Sequence, residues 1–379
     1  MTPIYVPILK ALGSEFDAIA EIKNVDIKKI EPLFEIPRIG TNILEAARFK
    51  DCLHVLTTAY LNEVAGRIAG GWSGRTAMVD AYQWAADATI ESGEHIISYV
   101  YARLTSLGVN IVPVIGYDRW ENDAYRLAMK ALNIQGGSYC IRLDSHAIDD
   151  SAEPDFFQEN IDQILDDIAA DPQQCSVLID FGDVTGQSVD GCISKANEIL
   201  SMLESKGFRS FIIAGCSLPK TIDAAVKKPD STGSVLRREM LLWQAMKQEF
   251  PRAKVVFADY GVRGPHSNEG VRSKHTNGKI RYTIEKQYFV VRGHSMSLPG
   301  KGEQMYSLAQ TLIDSPHYMR EEFSWGDWRI AECSRKKFKG SAAQWIAIDT
   351  SHHLAYVVAE VEEFERSTVM RNAMEDEFI

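Results

Sequence analysis

The sequence is short of positive charge and contains no long hydrophobic run. Its 379 residues include 41 Lys and Arg and 52 Asp and Glu, which gives a formal net charge of −11. This balance argues against a basic surface over the whole protein, although it leaves a local basic patch open. Apolar runs such as 211–214 are far shorter than the roughly 20 residues of a membrane span, and no charged-then-apolar leader opens the chain. We therefore expect a cytoplasmic protein with no membrane partner.

The sequence also lacks the motifs of several site classes. Its six cysteines are scattered without a CxxC pair, so we expect buried, reduced thiols rather than disulfides or a zinc site. The glycine-rich segment 70–74 does not have the order of a phosphate-binding P-loop, and 215–217 lacks the complete GxSxG of a serine hydrolase. The composition, with 45% hydrophobic and 25% charged residues, is that of a globular protein with a large core.

Eight short apolar runs predict the strands of a parallel sheet. They are rich in Val, Ile and Phe, which is typical of strands buried on both faces. The runs span residues 5–10, 30–35, 75–80, 110–115, 138–144, 175–180, 210–214 and 254–259. Amphipathic segments between them predict crossover helices, for example at 94–107, 156–169, 193–206 and 237–250. Eight such units favour an α/β fold of the closed (β/α)8 TIM-type barrel over an open doubly wound sheet.

The pattern changes after the eighth run, which predicts an elaborated C-terminal region. Residues 281–292 are typical of strands or a hairpin, 302–313 of a helix and 354–365 of the last helix. No low-complexity linker separates this region from the barrel. We therefore predict a single domain over 1–379, with the barrel strands within 1–265 and the hairpin and helices of 266–379 completing and capping the barrel.

Charged residues end most of the eight runs. The C-terminal ends of the strands of a (β/α)8 barrel converge on one mouth, so we expect these side chains to share a site. The predicted catalytic residues there are Lys10, Glu35, Asp80, Asp180 and Asp259, and the predicted ligand-binding residues are Arg142, Asp144, Ser217 and Tyr260. Each single Asp is equally well explained as a helix cap, and Asp118 and Asp183 are the strongest candidates for that role.

Three kinds of chemistry fit such a mouth. Asp80, Asp180 and Asp259 are candidate ligands of Mg²⁺ or Mn²⁺, which would activate water for phosphodiester hydrolysis. Alternatively, two carboxylates act as acid and base on a glycosidic bond. In the third option, burial lowers the pKa of Lys10 and makes it a reactive amine, whereas an ion pair with the neighbouring acids would keep it charged. The sequence leaves all three open.

The segment 263–294 reverses the charge of the chain locally. It contains Arg263, His266, Arg272, Lys274, His275, Lys279, Arg281, Lys286, Arg292 and His294. Loops after the seventh and eighth strands of such barrels often bind phosphate, and the aromatic neighbours Tyr282 and Tyr288 suit a nucleotide or a single strand. We therefore predict Arg281 and Arg292 as ligand-binding residues. A solvated basic face or a docking patch for an acidic partner explains the segment equally well.

Several short motifs follow one another along the whole chain. They are 5–10 with Glu15, 32–37, Trp72 with 75–80, 281–283, 292–293, 323–327, and Trp345 leading into 350–354. In this order they resemble the Beta protein family of phages, phage satellites and bacterial genomic islands. Ser14, Ile346 and Ser351 depart from the family pattern, where Gly, Arg and Asn are usual, and a ligand bound by that Arg would be held differently here.

The resemblance implies a genomic context more than a reaction. It implies a neighbouring operon-encoded protein that is toxic to the cell and is restrained, and a link to defence against phage. It also directs attention to His352 and His353, which diverge by about 100° on a helix and are not expected to share a metal. On this basis His353 is predicted as catalytic, and Trp325, Asp327 and His352 as ligand-binding. The alternative is a helix start with Thr350 or Ser351 as N-cap.

Two hypotheses of different classes follow. In the first, a Beta-family barrel in a phage-defence or toxin-restraining operon binds a phosphate-containing ligand at its mouth, a nucleotide or a nucleic-acid strand. Whether it also hydrolyses that ligand is left open. In the second, the protein is a non-enzymatic antitoxin or immunity protein that binds and inactivates a neighbouring toxic protein.

Overall fold

Eight parallel strands close into a barrel. A computed structural model of the chain describes residues 3–132, 134, 137–265, 276–298, 300 and 302–376. Its strands are β1 (Tyr5–Leu9), β2 (Leu33–Glu35), β3 (Thr76–Asp80), β4 (Asn110–Gly116), β5 (Cys140–Leu143), β6 (Ser176–Asp183), β7 (Ser210–Cys216), β8 (Ser231–Leu236), β9 (Val255–Asp259), β10 (Asn277–Ile284) and β11 (Gln287–Ser295). Strands β1 to β7 follow one another around the ring, and β9 closes it between β7 and β1. The predicted (β/α)8 barrel is confirmed, with each predicted run contributing one barrel strand.

Alternate residues of each barrel strand face the inside of the ring, because strand side chains point to opposite faces in turn. The interior is one apolar cluster that contains Val6, Ile8, Leu33, Met78, Val112, Val114, Cys140, Leu178, Ile212, Ala214, Val256 and Ala258. Their chain neighbours, such as Leu9 and Phe34, belong to the larger cluster between strands and helices. Burial on both faces explains why the strands form continuous apolar runs in the sequence.

Helices pack around the barrel and, in the C-terminal region, against β10, β11 and one another. They are α1 (Gly13–Ala20), α2 (Asn24–Ile27), α3 (Thr41–Leu44), α4 (Leu56–Trp72), α5 (Ile96–Ser106), α6 (Asp123–Lys130), α7 (Ser145–Asp150), α8 (Pro154–Asp167), α9 (Val189–Leu203), α10 (Ile222–Ala225), α11 (Arg238–Glu249), α12 (Gln304–Ile313), α13 (Trp325–Ser334) and α14 (Ala342–Asp376). The segments predicted as crossover helices correspond to α5, α8, α9 and α11. In the described part of the chain, no helix combines the length and apolar character that crossing a membrane would need.

The C-terminal helix α14 fills the place in the helical ring between the last and the first barrel strand. It packs against α1, β1 and β10, and Val357, Val358 and Val361 belong to the outer core. The sequence pattern places the start of this helix at residue 354, but it begins twelve residues earlier, at Ala342. Thr350 and Ser351 are therefore not N-caps. Residues 345–354 are buried or half-buried on every side of the helix, so they show no polar face from which a helical period can be recognised.

A three-stranded antiparallel sheet covers part of the C-terminal end of the barrel. Strand β11 lies at its centre, between β10 and β8. Tyr288 and Val290 of β11 pack in the barrel's interior cluster with Tyr260, and the Tyr288 hydroxyl donates a 3.2 Å hydrogen bond to the Gly261 carbonyl. The sequence predicts the β10–β11 hairpin but not β8, because the segment STGSVL is mostly small and polar.

A buried polar network fastens α14 to the barrel wall. The Tyr5 hydroxyl on β1 donates a 2.6 Å hydrogen bond to Asp259 at the end of β9, and His353 Nε2 on α14 lies 3.0 Å from the same carboxylate. The other ring nitrogen of His353 lies 2.8 Å from the Thr283 hydroxyl on β10. Burial alone would raise the pKa of Asp259, but the charges of His353 and Arg237 outweigh it and lower that pKa to about 2. The network therefore favours a charged Asp259.

We predict that Asp259 makes the stability of the protein depend on pH in acid. The pKa of its carboxyl falls from the ordinary 3.8 to about 2 on folding, so the stabilisation is fully present above pH 4 and is lost as the pH falls through 2. We expect the free energy of unfolding to drop by on the order of 2 kcal/mol more between pH 4 and pH 2 in the wild type than in Asp259→Asn. Urea unfolding across this range measures the difference, and equal pH slopes for the two proteins would contradict the assignment.

Candidate functional site

Each barrel strand contributes one residue to a layer of side chains at the mouth. Each of these residues lies two positions after a residue of the same strand that belongs to the interior cluster, so it shares the inward face. This mouth layer consists of Lys10, Glu35, Asp80, Gly116, Arg142, Asp180, Cys216 and Tyr260. Its six ionisable residues other than cysteine are all buried, with at most 5% of the residue exposed. The layer therefore joins a charged group of side chains directly to the apolar barrel interior.

Arg142 lies at the centre of the mouth layer. Its Nη1 donates to Asp80 Oδ2 at 2.8 Å, and its Nη2 donates to Glu35 Oε1 at 2.8 Å. Its Nε and Nη2 both donate to Asp180 Oδ2, at 2.9 and 2.6 Å. Tyr260 completes the group, because its hydroxyl lies 2.8 Å from Arg142 Nη2 and 2.5 Å from Asp180 Oδ2. Arg142 is thus surrounded by protein acceptors and organises the site; the sequence prediction of a ligand-binding role gains no support from its contacts.

A second arginine, Arg119, reaches the mouth layer from the turn after β4. Its Nη1 donates a 2.8 Å hydrogen bond to Asp80 Oδ1, on the other side of the carboxylate from Arg142. The guanidinium lies over Gly116, where an added Cβ would be 2.2 Å from Nε and from Nη2. The absence of a side chain at Gly116 therefore makes the space that Arg119 fills. Arg119 Nη2 is buried and has no hydrogen-bond acceptor among the described residues.

The charges of the mouth balance. Lys10, Arg119 and Arg142 provide three cations, and Glu35, Asp80 and Asp180 provide three carboxylates. Lys10 Nζ also donates a 2.8 Å hydrogen bond to the carbonyl of Pro265, beyond β9. A buried group with this balance avoids the large cost of an uncompensated charge.

Glu35 and Asp80 differ in their affinity for a proton. Burial, with a further contribution from the charge of Asp80, raises the pKa of Glu35 although Arg142 opposes it. Burial also acts on Asp80, but there the two arginines outweigh it and hold the pKa below its ordinary value. Of these two carboxyl groups, Glu35 is the one suited to exchange a proton with a ligand.

Tyr82 covers the buried layer on the solvent side. It follows Asp80 by two residues, and its ring centroid lies 4.0 Å from Arg142 Cζ in a cation–π contact. The residue is 39% exposed, in contrast to the layer beneath it. Burial of the remainder, together with the charge of Asp180, raises the pKa of its hydroxyl to about 12. Tyr82 thus stays neutral and presents part of an aromatic surface at the mouth.

The mouth does not fit the predicted Mg²⁺ or Mn²⁺ site. Both oxygens of Asp80 accept hydrogen bonds from arginines, and Asp180 Oδ2 accepts from Arg142 and Tyr260. The third candidate ligand, Asp259, shares none of these contacts. Within the residues that the structure describes, no three His, Cys, Asp or Glu side chains are placed to hold a metal ion.

Asp259 and Ser217 point to the outer side of the barrel wall. Each is one position away from the residue of its strand that faces inward, which is Tyr260 for one and Cys216 for the other. Side chains alternate along a strand, so this single step reverses the face. The metal candidates Asp80, Asp180 and Asp259 therefore do not come together, and Ser217 is not part of the mouth layer.

The outward residues take part in a buried network between the barrel, α11 and α14. Arg237 lies at its centre, with Nη2 at 3.5 Å from Asp259 Oδ2 and Nη1 in contact with Glu360. The Ser217 hydroxyl donates to Glu239, whose pKa burial raises to about 7 against the opposing charge of Arg237. His353, predicted as catalytic, belongs to this network and is completely buried. Its contacts hold helices in place.

His352, Asp327 and Trp325 lie in a third cluster, where α13 crosses α14. His352 Nδ1 is 2.9 Å from Asp327 Oδ2, and its Nε2 is 2.8 Å from the Thr283 carbonyl. The Tyr282 hydroxyl donates to Asp327 at 2.6 Å, and its ring stacks on His352. Both His352 and Asp327 are fully buried, and Trp325 begins α13 at their edge. These family-motif residues join the hairpin to the two helices and do not reach the mouth layer.

In the described part of the basic stretch, the two arginines predicted to bind a ligand form contacts within the protein. Arg281 pairs with Asp349 at 2.9 Å and donates to the Val262 carbonyl, and Arg292 donates to the Val226 and Lys227 carbonyls. His266, Arg272, Lys274 and His275 lie outside the described residues. Asp144, also predicted as ligand-binding, caps α7 by accepting from the amides of His146 and Ala147 at the rim of the mouth.

Two mouth residues, Arg119 and Tyr82, are absent from the sequence prediction. Both follow the ends of strands, where the sequence contains no apolar run to fix the register. Tyr82 has a usable signal, because it continues the inward alternation of Met78 and Asp80. Arg119 has none of this kind, since it reaches the mouth by a turn and depends on the small size of Gly116.

We predict that Gly116→Ala displaces Arg119 and destabilises the protein. The new methyl group would occupy the position of the guanidinium, and moving that group breaks its buried pair with Asp80. We expect a loss of about 2–4 kcal/mol in the free energy of unfolding, measured with urea. Gly66→Ala is the matched control, because apart from its chain neighbours and the backbone of α4 itself no described atom lies within 4 Å of the added methyl. We expect this control to stabilise by up to about 1 kcal/mol, and similar effects of the two changes would contradict the packing argument.

The comparisons with known proteins bear on the chain as a whole. No curated protein matches it significantly. The family model described as Beta protein matches residues 5–359, from the first barrel strand into α14. This match includes the mouth layer, the hairpin and both histidines, and it agrees with the resemblance of the sequence motifs. The chain belongs to the Beta protein family.

Proposed function

We propose that the mouth of the barrel binds a small phosphate-bearing ligand of the nucleotide type. The observation that carries this proposal is Arg119 Nη2, a buried donor at the mouth with no acceptor among the described residues. Buried donors in proteins are nearly always satisfied, so an unpaired one needs an explanation such as a bound acceptor. The planar guanidinium suits phosphate, because its N–H groups form strong, charge-assisted hydrogen bonds to phosphate oxygens.

Tyr82 supports a nucleotide over phosphate alone. One face of its ring contacts Arg142, and the residue remains 39% exposed at the mouth. Exposed aromatic rings stack on nucleobases of any kind, because every base has a π-face. The proposal therefore assigns the base to Tyr82 and the phosphate to Arg119. Binding of this kind draws the ligand over the mouth layer rather than into the apolar interior of the barrel.

Hydrolysis of the bound ligand would depend on Glu35. A general acid–base step needs a proton donor or acceptor, and Glu35 is the candidate among the mouth carboxylates, since burial raises its pKa against the charge of Arg142. Binding of the ligand does not require Glu35 to react, whereas hydrolysis of the bound ligand does. Turnover that survives Glu35→Gln would place the chemistry elsewhere.

From the family we further propose a role in a phage-defence or toxin-restraining operon. The competing proposal is a non-enzymatic antitoxin that binds and inactivates the toxic product of a neighbouring gene. The two differ in which residues protect the cell. If ligand binding is essential, Arg119→Lys and Tyr82→Ala abolish protection. If only docking matters, both variants protect as well as the wild type, and the neighbouring protein co-purifies with them in equal amounts.

We expect Tyr82→Ala to weaken the binding of AMP by about 5- to 150-fold, because a stacked base contributes about 1–3 kcal/mol. Binding of inorganic phosphate is expected to stay within about twofold of the wild type, since the phosphate is assigned to Arg119. Isothermal titration calorimetry with both probes measures this. Trp328→Ala is the matched control, since Trp328 is 42% exposed on α13. An unchanged affinity for AMP in Tyr82→Ala would refute the assignment of the base.

We expect Arg119→Lys to weaken the binding of both AMP and inorganic phosphate by at least about tenfold, because a single ammonium nitrogen cannot occupy both the position of Nη1 beside Asp80 and the position of Nη2 that is assigned to the phosphate. Arg103→Gln, an exposed change on α5, is the control for a change in charge or handling. A melting temperature recorded for each variant separates loss of binding from loss of fold. Wild-type phosphate affinity in a folded Arg119→Lys would overturn the proposal.

A further inference from the structure

A cleft of about 560 Å³ opens beside the turn that contains Arg119, and the chain neighbours Asp118 and Trp120 line it. It lies between the turn that follows β4 and the helices α7 and α8. The polar groups around it include Asp118, Glu121, Arg126, His146, Asp150 and Asn160. Its size is within the range of sites for small molecules in proteins. None of these residues takes part in the mouth layer.

The cleft wall is an ordered set of donors and acceptors. Asn160 Nδ2 donates a 2.8 Å hydrogen bond to the Tyr117 hydroxyl, which donates in turn to Asp150 Oδ2 at 3.1 Å. This chain fixes the orientation of the Asp150 carboxylate, and α8 holds Asn160 in the wall of the cleft. The positions of these acceptors are therefore set by the fold before any ligand arrives.

The mixture of charges around the cleft selects the chemistry of its ligand. A cation would be attracted by Asp118, Glu121 and Asp150 but repelled by Arg126. A free anion would meet the three carboxylates. A neutral hydroxyl donates to a carboxylate and accepts from a cation at the same time. Neighbouring hydroxyls, as in a sugar, match this wall best.

The cleft and the mouth layer are linked through one residue pair. Asp118 lines the cleft, and its Oδ1 lies 3.4 Å from Arg119 Nε. The opposite side of the same guanidinium pairs with Asp80. A ligand that reaches Arg119 from the cleft would therefore place its phosphate at the mouth layer and its adjoining group against the cleft wall.

We infer that the cleft binds the sugar of the ligand, so that the protein recognises a sugar phosphate rather than a phosphate alone. This inference rests on the proposed phosphate site and adds the part of the ligand that confers specificity. The carboxylates of Glu121 and Asp150 accept hydrogen bonds from the sugar hydroxyls, and Asp118 positions Arg119 between the two halves of the site.

The test compares ribose 5-phosphate with inorganic phosphate by calorimetry. We expect the sugar phosphate to bind at least about tenfold more tightly, because a hydrogen bond to a charged group typically strengthens binding by about that factor. The double variant Glu121→Gln with Asp150→Asn is expected to remove most of this advantage and to leave the affinity for inorganic phosphate unchanged. Both replacements keep the shape of the side chain, and the amide oxygen introduced by Asp150→Asn still accepts from Tyr117. Glu249→Gln, exposed at the end of α11, is the control.

Three results are distinguishable. An advantage of ribose 5-phosphate that the double variant removes supports the inference. Equal affinity for the two probes, or an advantage that persists in the double variant, overturns the sugar assignment while the phosphate site stands. Failure of both probes to bind overturns the phosphate site and the inference together.

Discussion

The guanidinium of Arg142 is the interaction on which the candidate site depends. Three strands place carboxylates around it, from Glu35, Asp80 and Asp180, and the barrel interior beneath is apolar and offers them no other partner. Removing Arg142 would leave three buried carboxylates close together, whereas removing any one of them would leave a positive charge in excess. The group is therefore stable only as a whole, and its geometry is fixed by the register of the strands. Such a rigid floor suits a site in which other residues contact the ligand.

The C-terminal region contributes to the barrel in a different way. His353 contacts Asp259 and His352 contacts Asp327, both histidines also contact Thr283 on β10, and these hydrogen bonds lie away from the mouth layer. They fasten α14 and the hairpin where a plain barrel would have its eighth helix. Since the family match includes both histidines, the simplest physical account is that these motifs preserve the closure of the ring. The paired histidines of this motif are thus explained by the structural contacts that they form.

The sequence pattern was sufficient to predict the barrel strands, because each strand is buried on both faces and therefore forms an unbroken apolar run in the sequence. It also identified Glu35, Asp80 and Asp180, where the end of the run coincides with the inward face. On β9 the apolar run ends at Asp259, one residue before the inward-facing Tyr260. A continuous apolar run has no alternation from which the inward face can be recognised. Arg119 could not be predicted, because a turn brings it to the mouth and the small size of Gly116 admits it. The prediction of site residues therefore failed where a turn brings a side chain to the mouth, and where a shift of one residue along a strand decides which face a side chain lies on.

The central claim is that the mouth layer supports a phosphate site at Arg119 under Tyr82. The most direct measurement is a crystal structure of the protein with AMP bound. The account predicts that a phosphate oxygen lies within hydrogen-bonding distance of Arg119 Nη2, with the adenine stacked on Tyr82 and the Arg142 contacts unchanged. AMP bound at another surface, or an Arg142 group that opens and takes the phosphate itself, would contradict it.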